Sequence, residues 1–195
     1  EDRHVFLVSF KKDGVFCGVY DGHRGEDAAL HAATELHKRF GLFLRSLDPR
    51  AAFTKAYKKI SEEITGRSGT CAATYYLKGG VVYYANVGDV RILVVGDSRE
   101  KQLSIDHRVD IPDERSRILR YGGEITGRHV YVYVRPGNYG LMPTRTLGDH
   151  AFKGIGVIAV PHTGAYNLKA TDRYLVVASD GLFDFMNNGE VGSFF

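Results

Sequence analysis

Two amphipathic helical stretches follow one another directly near the start of the chain, and almost every other patterned segment reads as a strand. A parallel Rossmann-type sheet needs strand and helix to alternate. Clustered helices beside strands joined by short turns point instead to an antiparallel α+β domain. The first helix is read from Glu26 to Leu44, where Ala29, Ala32, Ala33, Leu36, Phe40 and Phe43 recur at helical spacing and make one apolar face. Glu26 and Asp27 fall in its first turn, where acids suit the helix dipole. The second starts at Asp48-Pro49, an N-cap residue followed by one suited to the first helical position, and buries Phe53, Tyr57, Ile60 and Ile64. Both faces need a sheet to cover, so the expectation is two stacked sheets with helices outside.

The strands are read at Val5–Phe10 and Val15–Asp21 around a Lys-Lys-Asp-Gly turn, at Thr70–Leu77 and Val81–Asn86 around Lys78-Gly79-Gly80, and at Arg91–Val95. Gln102–Ile105, Val130–Val134 and Tyr174–Ala178 follow, with a short helix over Pro112–Tyr121 stopped by Gly122-Gly123. No linker, repeat or low-complexity tract interrupts residues 1–195, so the chain is read as one domain.

Charge narrows the function classes. With 26 basic and 23 acidic residues the net charge is +3, and no Lys/Arg-rich run argues for nucleic acid. No apolar stretch is long enough to span a membrane, and no secretory pattern opens the sequence. Cys17 and Cys71 lie in strand-like apolar contexts, which reads first as buried thiols in a reducing, intracellular compartment, cytoplasmic or nuclear, and second as a disulfide.

The chemistry gathers at strand ends. Val15–Asp21 delivers Asp21, then Gly22 and His23; Tyr174–Ala178 delivers Asp180 and Gly181; the turn Gly88-Asp89 carries a third aspartate. Carboxylates and free carbonyls are hard oxygen ligands suited to Mg²⁺ or Mn²⁺, and no Cys/His spacing suits zinc. Asp-Gly is also a common turn dipeptide, so spacing by itself leaves both readings open.

Seven blocks, in order, resemble the metal-dependent protein phosphatase family, protein phosphatase 2C. They are Glu1-Asp2-Arg3; Val19-Tyr20-Asp21-Gly22-His23; Ser68-Gly69-Thr70-Cys71-Ala72; Ala85-Asn86-Val87-Gly88-Asp89-Val90-Arg91; Asp106-His107-Arg108 with Glu114, Arg117, Ile118, Gly122 and Gly123; Thr144-Arg145-Thr146-Leu147-Gly148-Asp149; and Ala178-Ser179-Asp180-Gly181-Leu182-Phe183-Asp184. The resemblance covers nearly the whole chain. It implies a four-layer α-β-β-α sandwich with two metal ions at one end, and hydrolysis of phosphoserine or phosphothreonine in a phosphorylated protein substrate by a hydroxide bridging two Mg²⁺ or Mn²⁺ ions. By the same resemblance Asp21 bridges both metals, the Gly22 carbonyl binds one and Asp180 the other. Glu1 and Asp2 act through metal-bound waters, Asp89 matches a weaker third metal position, and His23 is the general acid. Arg145 and Asp149 are read as an ion pair or loop anchor, and Asp184 as a helix cap ahead of a role in orienting a metal-bound water.

The chain departs from the family pattern in three places. It ends at Phe195 without the family's later Asp-Asn pair and final strands; it starts at the Glu-Asp pair, after the position of the family's phosphate-binding arginine; and Val90 and Val109 replace a serine and a proline. The first two suggest a fragment whose open sheet edges favour instability or self-association. They also leave room for an inactive phosphatase-fold adaptor or scaffold, and a phosphatase of small phosphoesters is a third possibility.

Overall fold

The structure, a computed structural model, describes residues 2–134 and 137–195. A six-stranded sheet is built from β1 (Arg3–Phe10), β2 (Gly14–His23), β3 (Gly69–Lys78), β4 (Val81–Val87) and β11 (His162–Asn167), in that order, with β10 (Leu147–Gly148) also paired to β3. A second sheet has the order β12-β5-β6, from Asp172–Ala178, Arg91–Gly96 and Glu100–Gln102. The third is the meander β7 (Glu124–Thr126), β8 (His129–Val134) and β9 (Gly137–Leu141). All named pairings are antiparallel, as the clustered helices predict.

The period-two alternation of strands fixes the layers. On β2, Phe16 and Tyr20 face α1 (Asp27–Phe43) and α2 (Pro49–Glu63), while Val15, Cys17 and Val19 face the second sheet. β3 is buried on both faces in the same way: Ala72 and Tyr76 look to the helices, Ala73 and Tyr75 to the second sheet. The helix side is an aromatic cluster in which Phe40 and Phe53 stack with ring centroids 4.1 Å apart. The alanines of α1 let it sit close against the sheet. Asp48 caps α2 by accepting the amide protons of Arg50 and Ala51, and Pro49 occupies the first helical position, where its missing N–H costs nothing.

β5 presents Ile92 and Val94 to the space between the sheets and Leu93 and Val95 to the far face. There the short α5 (Asp180–Phe183) and α6 (Asn188–Gly192) cover it with Leu182, Phe183 and Val191. α3 (Pro112–Arg120) and α4 (His150–Lys153) share a small core with the third sheet through Ile118, Val130, Leu141 and Phe152.

The short elements β7, β9, β10, α4, α5 and α6 are not among those expected from the sequence, and two others depart from it instructively. The strand expected over Gln102–Ile105 is Glu100–Gln102, because the Ser104 hydroxyl accepts the Ile92 amide proton at 2.8 Å and so ends the regular ladder. β11 carries too little apolar alternation in HTGAYN to announce itself; it is an edge strand held by its register with β4. Both cysteines are free thiols. No helix among the described residues is long and apolar enough to cross a membrane.

Candidate functional site

The antiparallel registers bring the end of β2, the start of β3, the turn from β4 to β5 and the end of β12 to one end of the sandwich. Odd-numbered residues of β2 face the space between the sheets, so the alternation that buries Val19 there carries Asp21 to the mouth of the same layer. Asp21 lies opposite Cys71, whose thiol donates to Asp89 Oδ1 at 3.3 Å. Gly88 makes the turn to Asp89 at φ +80°, a conformation open to glycine, and a Cβ there would collide with the Cys71 sulfur. Asp180 opens α5 immediately after β12. Asp2, just before β1, accepts from the Ser179 hydroxyl at 3.0 Å. Glu1 lies outside the described residues, and Gly22 pairs with Thr70 in the β2–β3 ladder.

These carboxylates repel one another. Burial, then the charges of Asp180, Asp2 and Asp89, push Asp21 up to about 7. Asp180 is raised by burial and by Asp89 and Asp184, against the pull of Arg108. A hard divalent cation suits such a donor set in both charge and ligand chemistry. As the side chains are placed, no three His, Cys, Asp or Glu groups among the described residues stand close enough to hold one ion.

Arg108 is the cation already present. Its side chain is 11% exposed; it donates to Asp89 at 2.8 Å and to Asp184 at 2.9 Å, and lies 3.8 Å from Asp180. Asp184 is the C-cap residue of α5, as read above, with its backbone N–H on the Asp180 carbonyl, and its side chain takes Arg108 as well. The neighbours of Arg108 brace the same turn. His107 bonds the Gly88 carbonyl through both its backbone amide and ring Nδ1, at 3.0 and 3.2 Å, and Asp106 binds Arg91 at 2.5 Å.

His23 Nε2 lies 2.7 Å from Asp149 Oδ2, and Arg24 pairs with the other carboxylate oxygen. Asp149 is 1% exposed and sits at φ +52°. Burial would raise its pKa, but the bonds and charges of His23 and Arg24, with the bond from Thr146, hold it below the usual carboxylate value. Arg145 instead binds Glu114 at 2.6 Å, so Arg145 and Asp149 are not partners. Glu114, 2% exposed, also takes both terminal nitrogens of Arg117 at 2.7 Å and the Thr144 hydroxyl at 2.6 Å. These bonds hold it well below the carboxylate range despite burial.

A cavity of about 240 Å³ opens on Asp21, His23, Arg24, Asp89 and Asp180, with Gly140 and Leu141 of the third sheet on its rim. A larger groove of about 620 Å³ runs beside α1 and α2. Its Glu63 is already taken up by Arg39, Lys59 and His31, so the smaller cavity holds the reactive groups. Sequence reasoning found Asp21, His23, Asp89 and Asp180, and missed the roles of Arg24, Arg108, Asp149 and Glu114. The only local signal for Arg108, Glu114 and Asp149 was membership of the Asp-His-Arg and Thr-Arg-Thr-Leu-Gly-Asp blocks; Arg24 follows the Val-Tyr-Asp-Gly-His block and had none.

Known proteins resemble this chain in sequence and in fold. A sequence model of the family described as Protein phosphatase 2C matches residues 1–194. Probable protein phosphatase 2C 17 of Arabidopsis thaliana is 33% identical, over 97% of this chain and 70% of that protein. Probable protein phosphatase 2C 64 of Oryza sativa subsp. japonica is 31% identical, over 91% of this chain and 48% of that protein. The chain thus spans about half the length of the rice relatives it matches. The solved serine-threonine phosphatase 2C from Toxoplasma gondii superposes with a TM-score of 0.87 at 22% identity, over 99% of this chain and 77% of its own. A Caenorhabditis elegans sex determining protein does so at 0.84 and 21%, over 99% and 51%. At these identities the two structures speak for the fold. The chain belongs to the protein phosphatase 2C family.

Proposed function

We propose that this chain carries the catalytic centre of a metal-dependent protein serine/threonine phosphatase, with Asp21, Asp89, Asp180 and Asp2 as the cation-holding carboxylates and His23 as the general acid. The supporting observation is the convergence of repelling carboxylates from separate segments beside a histidine held by a buried aspartate. Mg²⁺ or Mn²⁺ bound there would neutralise the phosphate dianion and activate water, the chemistry such ions supply to phosphoester hydrolysis. The remaining work falls to the chain's own residues. A seryl or threonyl alkoxide leaves poorly, so a positioned imidazolium assists by protonating that oxygen. Asp149 accepts from His23 Nε2 and fixes the ring at the cavity wall. The third-sheet residues Gly140 and Leu141 complete the lining of the cavity.

Hydrolysis of a phosphothreonine peptide, with Mn²⁺ and with EDTA, beside Asp21→Ala, tests this reading. Turnover that needs metal and is lost in the variant supports it; turnover that survives EDTA or the substitution refutes it. The engagement of Arg108 with Asp89 and Asp184 favours a second reading, an inactive phosphatase-fold scaffold whose carboxylates are held by an internal cation. That reading predicts no turnover and no thermal stabilisation by Mn²⁺.

A further inference from the structure

A second cavity, of about 260 Å³, lies behind the His23–Asp149 pair and is lined by Arg24, Arg67, Tyr139, Asp149 and His150. Arg24 lines both this cavity and the catalytic one, so a ligand reaching from one to the other passes along a single side chain. That side chain is fixed in place: its residue has φ +58°, an uncommon value away from glycine, its guanidinium lies 4.9 Å from the Phe152 ring centroid, and it pairs with Asp149.

Charge in the second cavity is unbalanced. Its one carboxylate, Asp149, is already shared between His23 and Arg24. Arg67 is exposed and has no ion-pair partner among the described residues. His150 spends its Nε2–H on the Ile64 carbonyl at 2.7 Å. A guanidinium with a free fork of donors, beside a half-neutralised second one, is a site for a carboxylate.

We propose that this cavity is a specificity subsite that takes an acidic side chain, Asp or Glu, flanking the phosphoresidue of a peptide substrate, with Arg67 as its principal contact. This rests on the phosphatase reading for the placement of the phosphoryl group in the neighbouring cavity. Arg67 lies outside the catalytic cavity and so acts on which peptides bind.

The test uses three phosphothreonine peptides differing only in flanking Glu, Ala or Lys residues. Their non-hydrolysable phosphonate versions are titrated by fluorescence anisotropy against the whole chain, Arg67→Ala and Arg67→Glu, in Mn²⁺. A single charge-assisted contact corresponds to about tenfold in affinity, so the Glu peptide is expected to bind about tenfold more tightly than the Ala peptide. Arg67→Ala should bring the two together, and Arg67→Glu should favour Lys. Equal binding of the three peptides, binding of none, or a Glu preference that survives both substitutions overturns the subsite. Turnover of the hydrolysable peptides is scored separately. Turnover without preference refutes only the subsite, and preference without turnover refutes only the phosphatase reading.

Discussion

Replacing Asp21 by Asn removes one charge from the crowded end of the sandwich and leaves the side chain's shape nearly intact. Asp21 is pushed from its ordinary value near 3.8 up to about 7, by burial and then by Asp180, Asp2 and Asp89. At about 1.4 kcal/mol per pH unit, a displacement of that size corresponds to on the order of 4 kcal/mol without solvent screening. The carboxyl is partly open to water, so about 1–2 kcal/mol is a fairer figure. The sign follows from proton counting. Between pH 3.8 and 7 the folded chain keeps a proton that the unfolded chain has released, so stability falls as pH rises through that window, and the full penalty stands above 7. In EDTA at pH 8, Asp21→Asn should therefore melt higher than the parent, by about 2–8 °C for a domain of this size. At pH 4 the parent carboxyl is mostly protonated and the gap should close. Calorimetry or a fluorescence melt at both pH values decides the matter. A variant that melts lower at pH 8, or by the same margin at pH 4 as at pH 8, would refute the claim that carboxylate crowding destabilises this end of the fold.

Glu114→Gln should destabilise the chain by about 3–5 kcal/mol at pH 7, because two arginines lose their buried counter-charge. Glu114 is held below its ordinary value, so its contribution is present above the unfolded value near 4.5 and is lost as pH falls through the folded one; urea melts from pH 7 down to 3 should show the parent–variant gap narrowing. Gly69→Ala places a Cβ on the Asp149 carboxylate, and should cost about 3–5 kcal/mol as that buried group leaves His23 and Arg24, read as a lower urea midpoint and a lost His23–Asp149 contact in the ring NMR signals. Tyr57→Phe strips a hydroxyl bonded to Thr74 and to the Ala85 carbonyl, both at 2.9 Å; a loss of about 1–2 kcal/mol is expected with no change in turnover.

How much of this was legible in the sequence depends on whether a residue's position is set by its own element or by a distant one. Asp21 was legible because the strand that carries it also orients it: once Val15, Cys17 and Val19 are assigned to the buried face between the sheets, period two puts Asp21 on that face and His23 beyond it. Asp89 and Asp180 follow in the same way from the glycine turn after β4 and the end of β12. The helices were legible because Asp48-Pro49 and the alanine face of α1 announce themselves locally.

The pairing of charges was not. Asp149 and Arg145 are four residues apart and of opposite sign, so local reasoning joins them. The fold separates them, because β10 pairs Leu147 and Gly148 onto Thr70 and Gly69, and the left-handed turn at Asp149 then aims its carboxylate at the end of β2 while Arg145 reaches α3. A ladder of two residues leaves no periodicity to read. Asp184 shows the same limit: its place at the end of α5 announces the cap it makes through its backbone, but only the packing of the Asp106–Arg108 segment against the turn before β5 supplies Arg108 to its side chain. A local pattern thus fixes which face a carboxylate occupies. Its charge partner is fixed by which distant segment is packed nearest, and here that choice separates a carboxylate that orients His23 from those left to repel one another.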